Sequence, residues 1–210
     1  HVFVNLFTAE DFSADNPVFQ LAMSKDLLDL VSDYFGGRFR FDSIQVLHSF
    51  PRNSGLAESQ KWHKDYGDSR SLHWVIYLND VFEPADGPFV FVDRNDTRKV
   101  ARSPFIRRIS DDDFIQEIGH DNFQYFYGSA GDSIVVDPAA CYHYGSRCER
   151  PRTALFLTFC SDRPFVPPLP VMHEAPEKLL AAAKACRPDL AEDTLQPSLA
   201  FPGWITVAAG

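Results

Sequence analysis

Methionine is nearly absent from this 210-residue chain: two residues stand beside nineteen phenylalanines, so the core is built from rigid rings and branched aliphatics rather than adaptable thioethers. That choice suits sheets better than a helical bundle and points to a β-rich class. Positive charge is also short, with 20 Lys and Arg against 29 Asp and Glu and a formal net charge of -9. Nucleic acid and anionic membranes would repel such a chain, which leaves a small molecule as the expected ligand. Cysteines number four, Cys141, Cys148, Cys160 and Cys186, all in the last third. A chain of this length does not need disulfides to fold, so we expect a reducing, cytoplasmic setting. No apolar run approaches membrane-spanning length, and the stretch from His1 to Phe12 lacks the basic start and apolar core of a secretory signal. Because the chain begins at His1 without an initiator Met, we expect a trimmed N-terminus.

What is present is enough apolar material, 45% of residues, to bury one substantial core, and we expect a single domain over residues 1–210. Ser24 followed by Leu27, Leu28, Leu30, Val31, Tyr34 and Phe35 gives a helical stripe, with Ser24 as N-cap and Gly36-Gly37 as the stop. From about Phe41 the texture changes to short apolar runs cut by turn residues: Ser43–Phe50, Leu72–Leu78, Pro88–Val92, Phe123–Tyr127, Ser133–Val136 and Arg152–Phe159. That many strands in one domain predict a sandwich or barrel. The stretch from Arg94 to Arg108 carries Arg94, Arg98, Lys99, Arg102, Arg107 and Arg108 and reads as a long excursion from the sheet, followed by acidic residues from Asp111 to Asp121. A Pro-rich segment then leads to a helix over about Pro176–Cys186, with Pro in its first turn.

Three features carry chemistry. In Trp62-His63-Lys64-Asp65, an extended backbone sends the imidazole and the carboxylate out on one face, where both can reach one ion. Alone, such a His-x-Asp is weak evidence, because the tripeptide arises by chance and an exposed ion pair is its ordinary reading. A second imidazole, His143, follows the Gly131-Asp132 turn and the Ser133–Val136 strand, and two His with one carboxylate suit Fe(II) with coordination positions left open. Downstream, Arg152 opens an apolar strand, where an inward guanidinium is costly unless an anion pairs with it.

The run from Gln60 to Asp65, the strand Leu72 to Asp80, the acidic turn Glu83-Pro84-Ala85-Asp86-Gly87-Pro88, the Gly131-Asp132 turn, His143 and Arg152 together resemble the phytanoyl-CoA dioxygenase family of Fe(II)/2-oxoglutarate-dependent oxygenases. The resemblance covers about Phe41 to Phe159, more than half of the chain, and extends to the helix before it. It implies a mainly β fold, a double-stranded β-helix (jelly-roll, cupin-like) core over about 41–160 with supporting N-terminal and C-terminal helices. It implies Fe(II) on His63, Asp65 and His143, which make up the catalytic centre, and Arg152 on the far carboxylate of 2-oxoglutarate, with O2 as the second co-substrate. His73, which shares a strand face with Tyr77, is a further co-substrate candidate; a buried imidazole bonded to backbone is the equal alternative. The implied reaction hydroxylates a C–H bond of a small molecule and releases succinate and CO2.

This chain departs from many relatives after the Leu72–Val92 hairpin, where they carry Pro-Gly-Ser-His and it carries Asp93-Arg94-Asn95-Asp96. The basic residues there meet an anionic substrate (carboxylate, phosphate or acyl-carrier group) or form a solvated charged loop. Competing readings are a zinc site from Cys141, His143, Cys148 and Cys160, and a non-catalytic cupin-like module that binds metal or ligand without oxygen chemistry. Halogenation, which in related enzymes needs the carboxylate to be missing, is disfavoured by Asp65. The substrate and the oligomeric state have no signature in the sequence.

Overall fold

The structure is a computed structural model that describes residues 3–51, 55–100, 106–191, 195 and 199. His1 and Arg102 lie outside the described residues. In chain order the elements are β1 (Phe3–Asn5), α1 (Pro17–Ala22), α2 (Lys25–Phe35), β2 (Phe39–Ser49), β3 (Ser71–Tyr77), β4 (Phe89–Phe91), α3 (Arg94–Lys99), α4 (Asp111–Ile118), β5 (Gln124–Phe126), β6 (Ser133–Val136), β7 (His143–Tyr144), β8 (Arg152–Ser161) and α5 (Pro176–Cys186). The strands form a five-stranded sheet in the order β1-β2-β8-β3-β6 and a three-stranded sheet in the order β5-β4-β7. Antiparallel pairing of β1 with β2, β3 with β6, and β4 with both β5 and β7 makes this the expected mainly β fold with a double-stranded β-helix core. No helix among the described residues is long and apolar enough to cross a membrane.

The chain divides into two compact units. One comprises His1–Leu6, Val46–Tyr66 and His73–Leu155; the other comprises Phe7–Gln45, Gly67–Leu72 and Phe156–Gly210. The first holds the three-stranded sheet and an aromatic cluster of Trp62, Val90, Val92, Ile109, Phe114, Ile118, Tyr142 and Tyr144. Tyr77 is wholly buried there and joins three strands, because its hydroxyl donates to Phe126 O at 2.8 Å and accepts from Phe89 N at 2.9 Å. The second unit is organised around Phe rings: Phe12 lies 5.7 Å from Phe19, and Phe159 lies 4.6 Å from Phe41. α2 buries Leu27, Leu28 and Val31 and stops at Gly36, whose φ of 79° is left-handed and suits glycine.

Two local expectations need correction. Ser24 occupies the N-cap position of α2, but its side chain makes no capping hydrogen bond. The stretch after β4 is not a plain excursion from the sheet. Asp93 caps α3 by accepting from Asp96 N at 2.8 Å, and Ser110 caps α4 by accepting from Asp113 N at 3.3 Å. Asp111, Asp112 and Asp113 then fill the first turn of α4, where the helix dipole favours negative charge.

Candidate metal centre

The site begins with a segment that is paired on both edges. Trp62 exchanges backbone hydrogen bonds with Ile109 at 3.2 and 2.9 Å, and the next residue, His63, exchanges them with His143 at 3.0 and 2.8 Å. Adjacent side chains on such a segment leave on opposite faces. Trp62 goes into the aromatic cluster, stacked on Phe114 at 4.2 Å and set against Phe123 and Tyr144 at 4.6 Å each. His63 goes the other way and meets the His143 ring at 4.2 Å. Trp62, Tyr142 and Tyr144 are thus core packing.

Backbone carbonyls set the orientation of both imidazoles. His63 Nδ1 lies 2.8 Å from Lys61 O, and His143 Nδ1 lies 3.2 Å from Cys141 O. A carbonyl only accepts, so each neutral ring carries its hydrogen on Nδ1 and keeps a free lone pair on Nε2. Those two Nε2 atoms lie 3.6 and 3.8 Å from Oδ1 of Asp65, whose own amide donates to Pro138 O at 2.9 Å. Donor atoms of His63, Asp65 and His143 all fall within 4.8 Å of one another, and among the described residues they form the group of His, Cys, Asp and Glu that could hold a metal ion.

The protonation states suit a cation. Burial, followed by the neighbouring His143, pushes His63 down to about 3. His143 is lowered by burial in spite of the Asp65 charge. Burial raises the Asp65 carboxyl, but His143, His73 and His63 together outweigh it and hold the group below its ordinary value. At neutral pH the site therefore presents two neutral imidazoles and one carboxylate, a donor set that fits Fe(II). Cys141, Cys148 and Cys160 lie outside this group, and burial raises all three thiols, Cys141 to about 12.

The structure places His73 on β3 opposite Val136, with Nε2 3.6 Å from Oδ2 of Asp65. Arg152, the first residue of β8, is only 1% exposed. One terminal nitrogen donates to Gly87 O and the other to Ser146 Oγ at 2.9 Å, while the buried Nε has no hydrogen-bond partner. Burial lowers its pKa, and among the described residues no carboxylate forms an ion pair with it. The buried guanidinium thus keeps one N–H without a protein acceptor, an uncommon state for a buried donor. The other nearby arginines are engaged. Arg147 makes a bidentate pair with Asp111 at 2.8 Å, and Arg150 pairs with Glu83 and Asp86.

Gly87 and Ser146 escape sequence reasoning. Gly87 has φ +69°, and a Cβ there would lie 2.7 Å from Cys148 Cβ, so only glycine brings this carbonyl to Arg152. Its position in an Asp-Gly-Pro turn signals a bend and nothing about an arginine. Ser146 has an unusual positive φ of 59°, which no local motif announces.

No protein-family model and no curated protein matches the chain. Solved structures do match. A crystal structure of EctD from S. alaskensis with 2-oxoglutarate and 5-hydroxyectoine aligns with a TM-score of 0.51 and 20% identity, over 75% of this chain and 59% of that one. A structure of HygX from Streptomyces hygroscopicus with nickel, 2-oxoglutarate and hygromycin B bound aligns with a TM-score of 0.47 and 17% identity, over 68% of this chain and 64% of that one. The chain thus spans less than two thirds of the length of either protein. The likeness to EctD is one of fold.

Proposed function

We propose that this chain is a non-haem Fe(II)- and 2-oxoglutarate-dependent dioxygenase that hydroxylates a C–H bond of a small-molecule substrate, with succinate and CO2 as co-products. The observation that carries the reading is the convergence of two carbonyl-oriented imidazoles on one oxygen of Asp65, in a fold shared with a structure that contains 2-oxoglutarate. Within that class, the run from Gln60 to Asp65 and the Glu83–Pro88 turn favour the phytanoyl-CoA dioxygenase branch, whose name is not taken as the substrate.

In this reading His63, Asp65 and His143 hold the metal, and the Lys61 and Cys141 carbonyls keep both Nε2 atoms turned to it. Fe(II) supplies O2 activation, coupling the oxidative decarboxylation of 2-oxoglutarate to oxidation of the substrate. Arg152 holds the far carboxylate of 2-oxoglutarate, using the Nε that lacks a protein partner. Gly87 and Ser146 keep the guanidinium in place. Phe89, whose ring lies 5.3 Å from His143, keeps water from one side of the ligand set. Asp65 supplies the carboxylate that halogenating relatives lack, so hydroxylation is the favoured outcome.

The test is Fe(II)-dependent conversion of 2-oxoglutarate to succinate by the full chain, with His143→Ala as the control. Succinate that disappears in the variant supports the reading, and undiminished turnover in His143→Ala sinks it. If the unaltered protein binds metal and 2-oxoglutarate but forms no succinate with any of a panel of candidate acids, amino acids and acyl thioesters, the non-catalytic binding module is the better reading.

A further inference from the structure

Strand register places one more charged side chain beside the proposed metal site. Trp62 and Ile109 exchange both backbone hydrogen bonds, so the residues one step along, His63 and Arg108, stand opposite each other with their side chains on the face away from the Trp62 cluster. The row continues through the pairing of His63 with His143, of His143 with Phe91, and of Phe91 with Gln124. Arg108 therefore ends a cross-strand row that contains both imidazoles. Its neighbours alternate as this register requires: the Arg107 guanidinium lies 5.6 Å from the Tyr66 ring, and Ile109 packs in the cluster with Trp62.

Arg108 is held loosely. Its Nη1 donates to Arg107 O at 3.0 Å, and Nη2 stands 3.8 Å from a carboxylate oxygen of Glu58, whose side chain is 84% exposed while that of Arg108 is 34% exposed. An ion pair so open to solvent contributes little, so another anion can take the place of Glu58 at small cost. Charge balance indicates which anion. In the proposed enzyme the metal dication, Asp65, the doubly negative co-substrate and Arg152 sum to neutrality, and Arg108 adds one positive charge. A monocarboxylate matches that charge and the planar guanidinium fork, whereas the second charge of a phosphate monoester would have no counterpart.

We infer that Arg108 is a specificity-determining residue that binds the carboxylate of the primary substrate, a small monocarboxylic acid. This rests on the proposed function, since the charge balance assumes the metal and 2-oxoglutarate in place. The probes are aliphatic monocarboxylates from butyrate to decanoate, with benzoate and phenylacetate, each paired with its own primary amide. Equilibrium binding is measured calorimetrically on the full chain saturated with Mn(II) and 2-oxoglutarate. At least one acid should bind on the order of tenfold more tightly than its amide. Arg108→Gln should bring that ratio close to one, and Arg108→Lys should keep most of it. Because the readout is a ratio, a general loosening of the protein does not imitate the effect. No acid that outbinds its amide, or a ratio that survives Arg108→Gln, overturns the inference. Mn(II) binding by the same unaltered protein is scored separately: its absence removes the proposed metal site, whereas normal Mn(II) binding with a ratio of one removes the Arg108 assignment alone.

Discussion

His73 Nε2 lies 3.6 Å from Oδ2 of Asp65, while the Nε2 atoms of His63 and His143 lie 3.6 and 3.8 Å from Oδ1 of the same carboxylate. The two oxygens therefore face different partners. His73 can fix the outer oxygen and so turn the inner one toward a metal. His73→Phe should weaken Mn(II) binding by roughly 10- to 100-fold, the usual cost of losing a group that orients a ligand. Titration calorimetry checks this. Unchanged metal affinity with weakened 2-oxoglutarate binding would assign His73 to the co-substrate instead.

The buried imidazoles should make the metal-free protein acid-sensitive. His63 sits at about 3 in the fold, against an ordinary value of 6.5, so below 6.5 the unfolded chain binds a proton that the folded chain refuses. Stability contributed by neutral His63 is thus present above about 6.5 and is lost as pH falls toward 3, at up to about 1.4 kcal/mol per pH unit. His143 and His73 are lowered as well and act in the same direction. Urea denaturation of metal-free protein at a series of pH values between 7 and 4.5 measures the slope, and His63→Gln should flatten it. Equal slopes in the two proteins would show that His63 is protonated in the fold.

Arg152 makes two hydrogen bonds to neutral acceptors and leaves Nε without a partner, so the free protein gains little from its charge. With metal present, 2-oxoglutarate should raise the melting temperature of the unaltered protein by linkage. Arg152→Met should abolish that rise, because the lost charge-assisted pair is worth about 2–5 kcal/mol of co-substrate binding. Mn(II) affinity should change far less. A full 2-oxoglutarate shift in the variant would move the carboxylate to another residue, and Arg147 and Arg150 are already engaged by carboxylates.

Gly87→Ala tests the same carbonyl from the backbone side. Its Cβ would meet Cys148 Cα and N at 2.9 Å as well as Cβ at 2.7 Å, at a positive φ that disfavours alanine. We expect a loss of about 1–3 kcal/mol of stability together with weaker 2-oxoglutarate binding. Urea denaturation reads the first and calorimetry the second, and an unaffected protein would contradict the close approach to Cys148.

Much of this molecule is legible in its sequence, for reasons that differ by element. β3 and β8 read clearly because their apolar runs are bounded by turn residues, and α2 because its buried Leu27, Leu28 and Val31 recur at helical spacing. His63 and Asp65 announce themselves by closeness, and Arg152 by being a charge at the head of an apolar strand. α3 and α4 are hidden because they are short and sit in a charge-rich stretch, where the caps Asp93 and Ser110 look like loop residues. β7 is two residues long and carries no periodicity. The partners of Arg152, and the position of Arg108 beside His63, depend on pairings between segments far apart in the chain. Such pairings are properties of register, which local pattern does not encode.

The neighbouring positions of Trp62 and His63 give that register a further significance. A slip of one residue in this segment would bring the imidazole into the aromatic cluster and the indole among the proposed metal donors. Chains that fold with the slip would be unable to bind metal at this site, however compact they were. Metal stoichiometry at saturation would then count correctly paired molecules, and a refolded preparation could be graded for folding fidelity by a metal titration before any substrate is known.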